Sequence, residues 1–309
     1  MKLHTLAAGT LLLFCTAAAL FAGGAKDTAA DEQAVIRIAS KPMTEQYILT
    51  EILKQLIEHD TDLTVEVTKG IGGGTTNIHP ALLKGEFDLY PEYTGTAWAF
   101  IVGRTDIPAD DQMYGTVWQE LQKAYGELGL EWINLYGFEN KFAIAVRNDA
   151  VQPHGITKLS QLAEISADLT FGANPDYYEK ADGFNLLCDT YGLAFKETVD
   201  LDMGLKYTAI ETGSVDAINA FTTDARLAVA PVTVLEDDRH MITDYYCGTI
   251  ARTDTLEAHP ELRAALAKMD GLITTEDMIF MNAEVEINGK DEIDVAREFL
   301  SAKGLLNQR

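Results

Sequence analysis

Four aromatic residues of this chain stand where chemistry could be done. Tyr93, Phe142, Phe221 and Tyr245 each lie at a strand end or beside a crossing between two α/β units. Converging, they would form a box of π faces. Such a box attracts a quaternary ammonium, each desolvated face contributing about 0.5–2 kcal/mol. A trimethylammonium group donates no hydrogen bond, so aromatic walls recognise it without leaving a polar partner unpaired. The other reading of each ring is a core side chain, and spacing alone does not bring the four together. The stretch around the first of them reads Phe87-Asp88-Leu89-Tyr90-Pro91-Glu92-Tyr93-Thr94-Gly95-Thr96. It begins as a β-type run, is expected to break at Pro91, and ends in an aromatic face, two hydroxyls and a glycine that lets backbone approach closely. The alternative is a tight turn with an incidental tyrosine.

Catalytic patterns are weaker. A nucleophile beside a base is not legible. His59, His79, His154, His240 and His259 lie in polar or helical surroundings, and no Gly-x-Ser-x-Gly elbow occurs. Neither Cys-x-x-Cys nor His-Glu-x-x-His is present, so no metal or thiol-redox signature appears, and no cofactor is implied. The glycine-rich run Gly70-Ile71-Gly72-Gly73-Gly74-Thr75-Thr76-Asn77 lacks the Lys-Ser/Thr ending of a phosphate loop and the spacing of a dinucleotide fingerprint. It reads as a tight turn before a helix.

The 309 residues suit two domains or one large one. Residues 1–25 read as a secretory signal peptide, with Lys2 ahead of an apolar segment and small residues after it. The protein is therefore expected to be exported, to a periplasmic or cell-surface location. Cys15 follows Phe14 rather than a small residue, which argues against a lipid anchor. Beyond residue 25 there are 23 Lys and Arg against 48 Asp and Glu, a net charge of −25. Nucleic acid and anionic membrane surfaces are poor partners for that field, and a cation is a good one. Acidity also serves solubility alone. Cys188 and Cys247 remain, and an exported protein permits but does not require their pairing.

Apolar periodicity sets out the elements that must position these residues. Strands are expected at 35–39, 63–67 and 87–90, with helices at 44–57, capped by Thr44, and at 78–84, with Pro80 in its first turn. This β-α-β-α-β order argues for a mainly parallel sheet. A helix at 112–128 and strands at 132–135 and 142–146 lead into a second unit. That unit has helices at 157–165, 181–191 and 203–212 and strands at 169–172, 197–201, 215–221 and 232–235. A strand at 246–252 returns, followed by helices at 260–269, 275–282 and 291–303. Ligands of open α/β sheets bind beyond the carboxyl ends of the strands, and a cleft between two units is a favoured pocket.

Four stretches carry a resemblance: Lys41-Pro42-Met43-Thr44-Glu45-Gln46-Tyr47-Ile48-Leu49, Gly72-Gly73-Gly74-Thr75-Thr76-Asn77-Ile78, Asp88-Leu89-Tyr90-Pro91-Glu92-Tyr93-Thr94-Gly95-Thr96 and Thr222-Thr223-Asp224. The chain resembles the substrate-binding proteins of ABC importers for glycine betaine, choline, carnitine and related osmoprotectants, from about residue 35 to 305. The resemblance implies an α/β, two-lobed, periplasmic-binding-protein-like (type II) fold, each lobe a mixed sheet flanked by helices. Residues 35–140 with 246–309 would form lobe I, and residues 141–245, inserted between them, lobe II. It implies binding rather than catalysis, with a quaternary-ammonium small molecule and a permease as partners and no contact with the membrane except through that permease or a lipid anchor. Carried over, the cage is Tyr93, Phe142, Phe221 and Tyr245. Thr96, Lys41 and Lys180 would meet a carboxylate tail, and the carbonyl of Asn140 the methyl groups. Lys41 is alternatively a solvated loop lysine, and Tyr90 and Glu92 read as scaffold. Phe142 and Phe221 stand where the family commonly has tyrosine, and Lys180 where arginine is common, a point charge in place of a two-pronged grip. These departures leave room for choline, carnitine or a bulkier betaine such as ergothioneine. A ligand sensor on the same scaffold, and a small-molecule hydrolase using the cleft, are the other readings.

Overall fold

Among the described residues ten strands form, and they divide into two sheets of five. The computed structural model describes residues 34–104, 113–179, 183–202, 205–242 and 245–306. The segment read as a signal peptide, with Cys15, and Lys180 lie outside them. The first sheet holds β1 (Val35–Ala39), β2 (Thr64–Thr68), β3 (Leu89–Tyr93), β4 (Leu130–Glu139) and β10 (Tyr246–Arg252), in the order β2-β1-β3-β10-β4. The second holds β5 (Phe142–Arg147), β6 (Thr170–Ala173), β7 (Glu197–Asp200), β8 (Ala217–Phe221) and β9 (Val232–Val234), in the order β7-β6-β8-β5-β9. In the first, β1 runs parallel to β2 and β3, while β10 is antiparallel to β3 and β4. In the second, β6 is parallel to β7 and β8, and β5 is antiparallel to β8 and β9. Both lobes are thus mixed sheets built on one plan.

Helices cover each sheet because their apolar residues recur on one face. Ile48, Leu49, Ile52, Leu53, Leu56 and Ile57 of the Thr44–Asp60 helix are fully buried on the first sheet. Each such side chain contributes about 1.5–3 kcal/mol through burial. On the opposite face of that sheet, Trp132 of β4 clusters with Trp98, Leu121 and Tyr125. Separate apolar clusters on Phe171 and Ile218 serve the second.

Some expectations shift. β3 does not break at Pro91 but runs through it to Tyr93. The strand tolerates the missing N–H because β1 pairs with it only as far as Leu89, so β1 has already ended beside Pro91. Thr44 does not cap its helix. Met43 holds the cap position in extended conformation, with no side-chain cap, and Thr44 is the first helical residue. The next helix starts at Thr75, which leaves Pro80 in its interior rather than its first turn. The helix expected at 157–165 shortens to Leu159–Leu162, and that at 203–212 to Lys206–Glu211. A π-helical turn at Trp98–Val102 and a helix at Thr253–Ala258 had no clear signal. Cys188 and Cys247 are free thiols, and burial pushes Cys188 up to about 11.

Candidate functional site

The chain passes between the sheets twice, from Glu139 to Phe142 and from Val234 to Tyr246. The two passages touch where Asn140 N–H donates to the Tyr245 carbonyl at 3.0 Å. Lys141 and Thr222 exchange further bonds beside them, and Thr222 Oγ1 donates to the Glu139 carbonyl at 2.6 Å. Of the sequence-derived site residues, Asn140 and Tyr245 belong to these passages, and Phe142 and Phe221 stand at the strand ends beside them.

Phe142 and Phe221 come together. They face each other across the β5–β8 ladder and stack with centroids 4.9 Å apart and planes at 25°. Tyr177 lies 5.4 Å from Phe142. The Tyr245 ring packs over Gly95 so closely that a Cβ there would fall 2.5 Å from it, which explains the glycine after Thr94. Thr96 is half-buried in the short Thr94–Ala97 helix.

Tyr93 is buried, and its hydroxyl is spoken for. It donates to Glu45 Oε1 at 2.5 Å and accepts from Gln46 Nε2 at 3.1 Å. Burial, and then the charge of Glu45, hold its phenol well above the ordinary value, so it remains a donor. The Tyr93 ring has Lys41 Nζ 4.8 Å from its centroid. Lys41 is not a solvated loop lysine: it is 9% exposed and ion-paired to the fully buried Glu92. Glu92 also accepts from Thr75 Oγ1, Tyr90 Oη and the Tyr93 amide. Gly74, at φ 53, arches over the Lys41 stem, where a side chain would be strained. The glycine-rich turn thus seats a lysine.

Glu45 is the residue that sequence reasoning passed over. It sits in the first turn of the Thr44–Asp60 helix, where the helix dipole favours an acid, and is only 3% exposed. Four chain segments converge on it. Tyr93 Oη and Asn140 Nδ2 donate to Oε1, at 2.5 and 3.0 Å. Asn282 Nδ2 donates to Oε2 at 3.4 Å, and the Thr223 hydroxyl supplies a further bond. Burial nevertheless raises its pKa, outweighing those hydrogen bonds. Asn282, on the Thr275–Glu286 helix, also donates to the Thr223 carbonyl at 2.9 Å, so this helix bonds both lobes. The only signals for Glu45 and Thr223 were their places in the motifs behind the resemblance.

Two neighbouring cavities open here. One, of about 130 Å³, lies between Met43, Glu45, Asn140, Phe221, Thr223 and Asn282. The other, of about 250 Å³, is lined by Lys206, Tyr207, Phe221, Asp224, Arg226 and Glu286. Phe221, Asp224 and Glu286 border both. An aromatic face beside a buried carboxylate suits a cationic head, and the lysine and arginine of the larger cavity suit an anion. Among the described residues no cluster of His, Cys, Asp and Glu suits a metal ion, and no helix is long and apolar enough to cross a membrane.

Known proteins share this architecture. Residues 34–302 match the family model described as the substrate binding domain of ABC-type glycine betaine transport systems. A Helicobacter pylori ergothioneine transport permease/ergothioneine binding protein is 37% identical over 89% of this chain, which spans 48% of that longer protein. A Listeria monocytogenes carnitine transport binding protein is 31% identical over 90% of this chain and 87% of its own length. A crystal structure titled as a glycine betaine/carnitine/choline ABC transporter superposes with a TM-score of 0.82 at 27% identity, covering 88% of this chain and all of its own. With a match over nearly all of its described length and a two-lobed fold in common, the chain belongs to the substrate-binding family of ABC-type glycine betaine transport systems.

Proposed function

We propose that the protein is exported, captures a quaternary-ammonium compound of the glycine betaine, choline or carnitine type between its lobes, and delivers it to an ABC permease. Lobe I is then 35–140 with 246–309, and lobe II is 141–245. The observation that carries this reading is the stacked Phe142–Phe221 pair beside the crossing where Asn140 bonds Tyr245, with Tyr93 of lobe I tied to Asn140 through the Glu45 carboxylate. In this reading an ammonium inserts among these faces, and the Glu45 carboxylate supplies a counter-charge. A ligand touching both lobes favours their approach, and only that differential affinity shifts the conformational balance. The resemblance offers Thr96, Lys41 and Lys180 for a carboxylate tail, and the backbone carbonyl of Asn140 for the methyl groups. For Lys41 this means sharing its ammonium with Glu92. In this reading the role is binding without catalysis.

A second reading keeps the scaffold and takes a bulkier betaine such as ergothioneine. Two observations favour it: Phe142 and Phe221 carry no hydroxyls, and the relative at 37% identity is an ergothioneine binding protein. Calorimetry against glycine betaine, choline, carnitine and ergothioneine tests both readings. The strongest binder names the ligand class, and silence toward all four refutes the proposal.

A further inference from the structure

Lys206 is buried to 3% exposure at the start of the Lys206–Glu211 helix. Its ammonium lies 5.8 Å from the centroid of Phe221 and 6.0 Å from that of Tyr207. Among the described residues it has neither a hydrogen-bond partner nor a carboxylate within ion-pairing distance, although Asp224 is near enough to act on it through space. Asp224 itself is engaged, accepting from Tyr207 Oη at 2.8 Å and from the Phe221 amide at 3.0 Å. Arg226 lines the same cavity. One of its terminal nitrogens is tied to Glu211, while its Nε is buried with no partner among the described residues. Burying a charge without a counter-ion is costly, and so is leaving an N–H unpaired. Two such groups bordering one cavity of about 250 Å³ describe a place for an anion. Glu286, the other acid lining it, is exposed.

We propose that Lys206 and Arg226 form a carboxylate subsite in the second lobe. It would make the cleft select zwitterionic quaternary-ammonium ligands over simple cations. The proposal rests on the binding function above and adds its charge specificity. Phe221 borders both cavities, so an ammonium on its face has the subsite within one ligand length. A ligand lacking the carboxylate would bring its positive charge toward Lys206 and return nothing. Lys41, the lysine that the resemblance offers for this role, already holds Glu92. Desolvation lowers the affinity of the Lys206 amine for its proton, against the pull of Asp224, and an incoming carboxylate would restore it.

The test compares carnitine with its methyl ester, which has the same ammonium but no anion, by calorimetry on wild type, Lys206→Met and Lys206→Arg. Wild type is expected to prefer carnitine. Lys206→Met should lose carnitine affinity by roughly tenfold to a hundredfold, the weight of a charge-assisted bond, and leave the ester unchanged or tighter. Lys206→Arg should keep most of the preference. Removing an unpaired buried charge leaves the fold intact or firmer, and Arg226→Gln, expected to reduce the preference in the same direction, provides a second variant. A carnitine-to-ester ratio unchanged in Lys206→Met and in Arg226→Gln overturns the subsite while the binding function stands. A wild type that binds neither ligand, nor any of the four compounds above, overturns both.

Discussion

Removing the Glu45 carboxylate should loosen the junction by an amount that can be worked out bond by bond. In Glu45→Ala, Tyr93 Oη, Asn140 Nδ2 and the Thr223 hydroxyl lose their acceptor. Asn282 keeps its bond to the Thr223 carbonyl, and Tyr93 keeps the Gln46 amide. Three buried or part-buried donors orphaned at about 1–3 kcal/mol each give a loss of about 3–9 kcal/mol, against a typical total stability of about 5–15 kcal/mol. Glu45→Gln keeps the shape and one acceptor but removes the titrating group, and should cost about 1–3 kcal/mol. The pH dependence has a definite sign. The folded-state pKa of Glu45 is raised above its ordinary 4.5, so between those two values the folded state holds more protons than the unfolded. Its contribution is greatest below 4.5 and falls as pH climbs toward the folded value. The stability gap between wild type and Glu45→Gln therefore narrows with rising pH. Glu292, held low by the hydrogen bond from Lys69, runs the other way and loses its contribution as pH falls. Urea titrations of the three proteins across this range measure the effect. An alanine variant with the wild-type midpoint, or a gap that widens with pH, refutes the reasoning.

Tyr245→Ala should weaken quaternary-ammonium binding about 2- to 30-fold, the weight of one aromatic face, with little change in the thermal midpoint. Wild-type affinity in this variant would remove Tyr245 from the cage. Gly95→Ala should push the Tyr245 ring aside, costing about 1–3 kcal/mol of stability and lowering affinity in the same titration. A variant that binds and melts as wild type would show that the contact carries no constraint. Lys41→Met should destabilise by about 3–5 kcal/mol, because it leaves Glu92 charged and buried without its partner. A urea midpoint within error of wild type would show that Glu92 is satisfied by Thr75, Tyr90 and the Tyr93 amide alone.

Much of the fold was legible because its strands are short apolar runs between clear breaks. β1 and β10 appear at their expected bounds, 35–39 and 246–252, and the glycine-rich run is a turn before a helix. What failed to show were features decided by partners distant in sequence. Pro91 is tolerated in β3 because of where β1 ends, a fact about a neighbouring strand. Lys41 and Glu92 stand 51 residues apart, and nothing local marks them as a buried pair. Glu45 was hidden among 48 acids, most of which are ordinary surface charge. Lys206 lay in an expected helix, where a lysine reads as solvated until the tertiary packing covers it. The aromatic residues were easier to find, because each stands at the end of a strand or at a passage between sheets, positions that periodicity does reveal.

The paired passages at Asn140 and Tyr245 have a mechanical consequence. A lone tether would let the two sheets swivel about any axis. Two tethers laid side by side and pinned by a hydrogen bond resist twisting and leave bending across their common plane as the soft direction. Relative motion of the sheets then has a single leading coordinate. One distance, between a label on each sheet far from the tethers, would follow the whole movement.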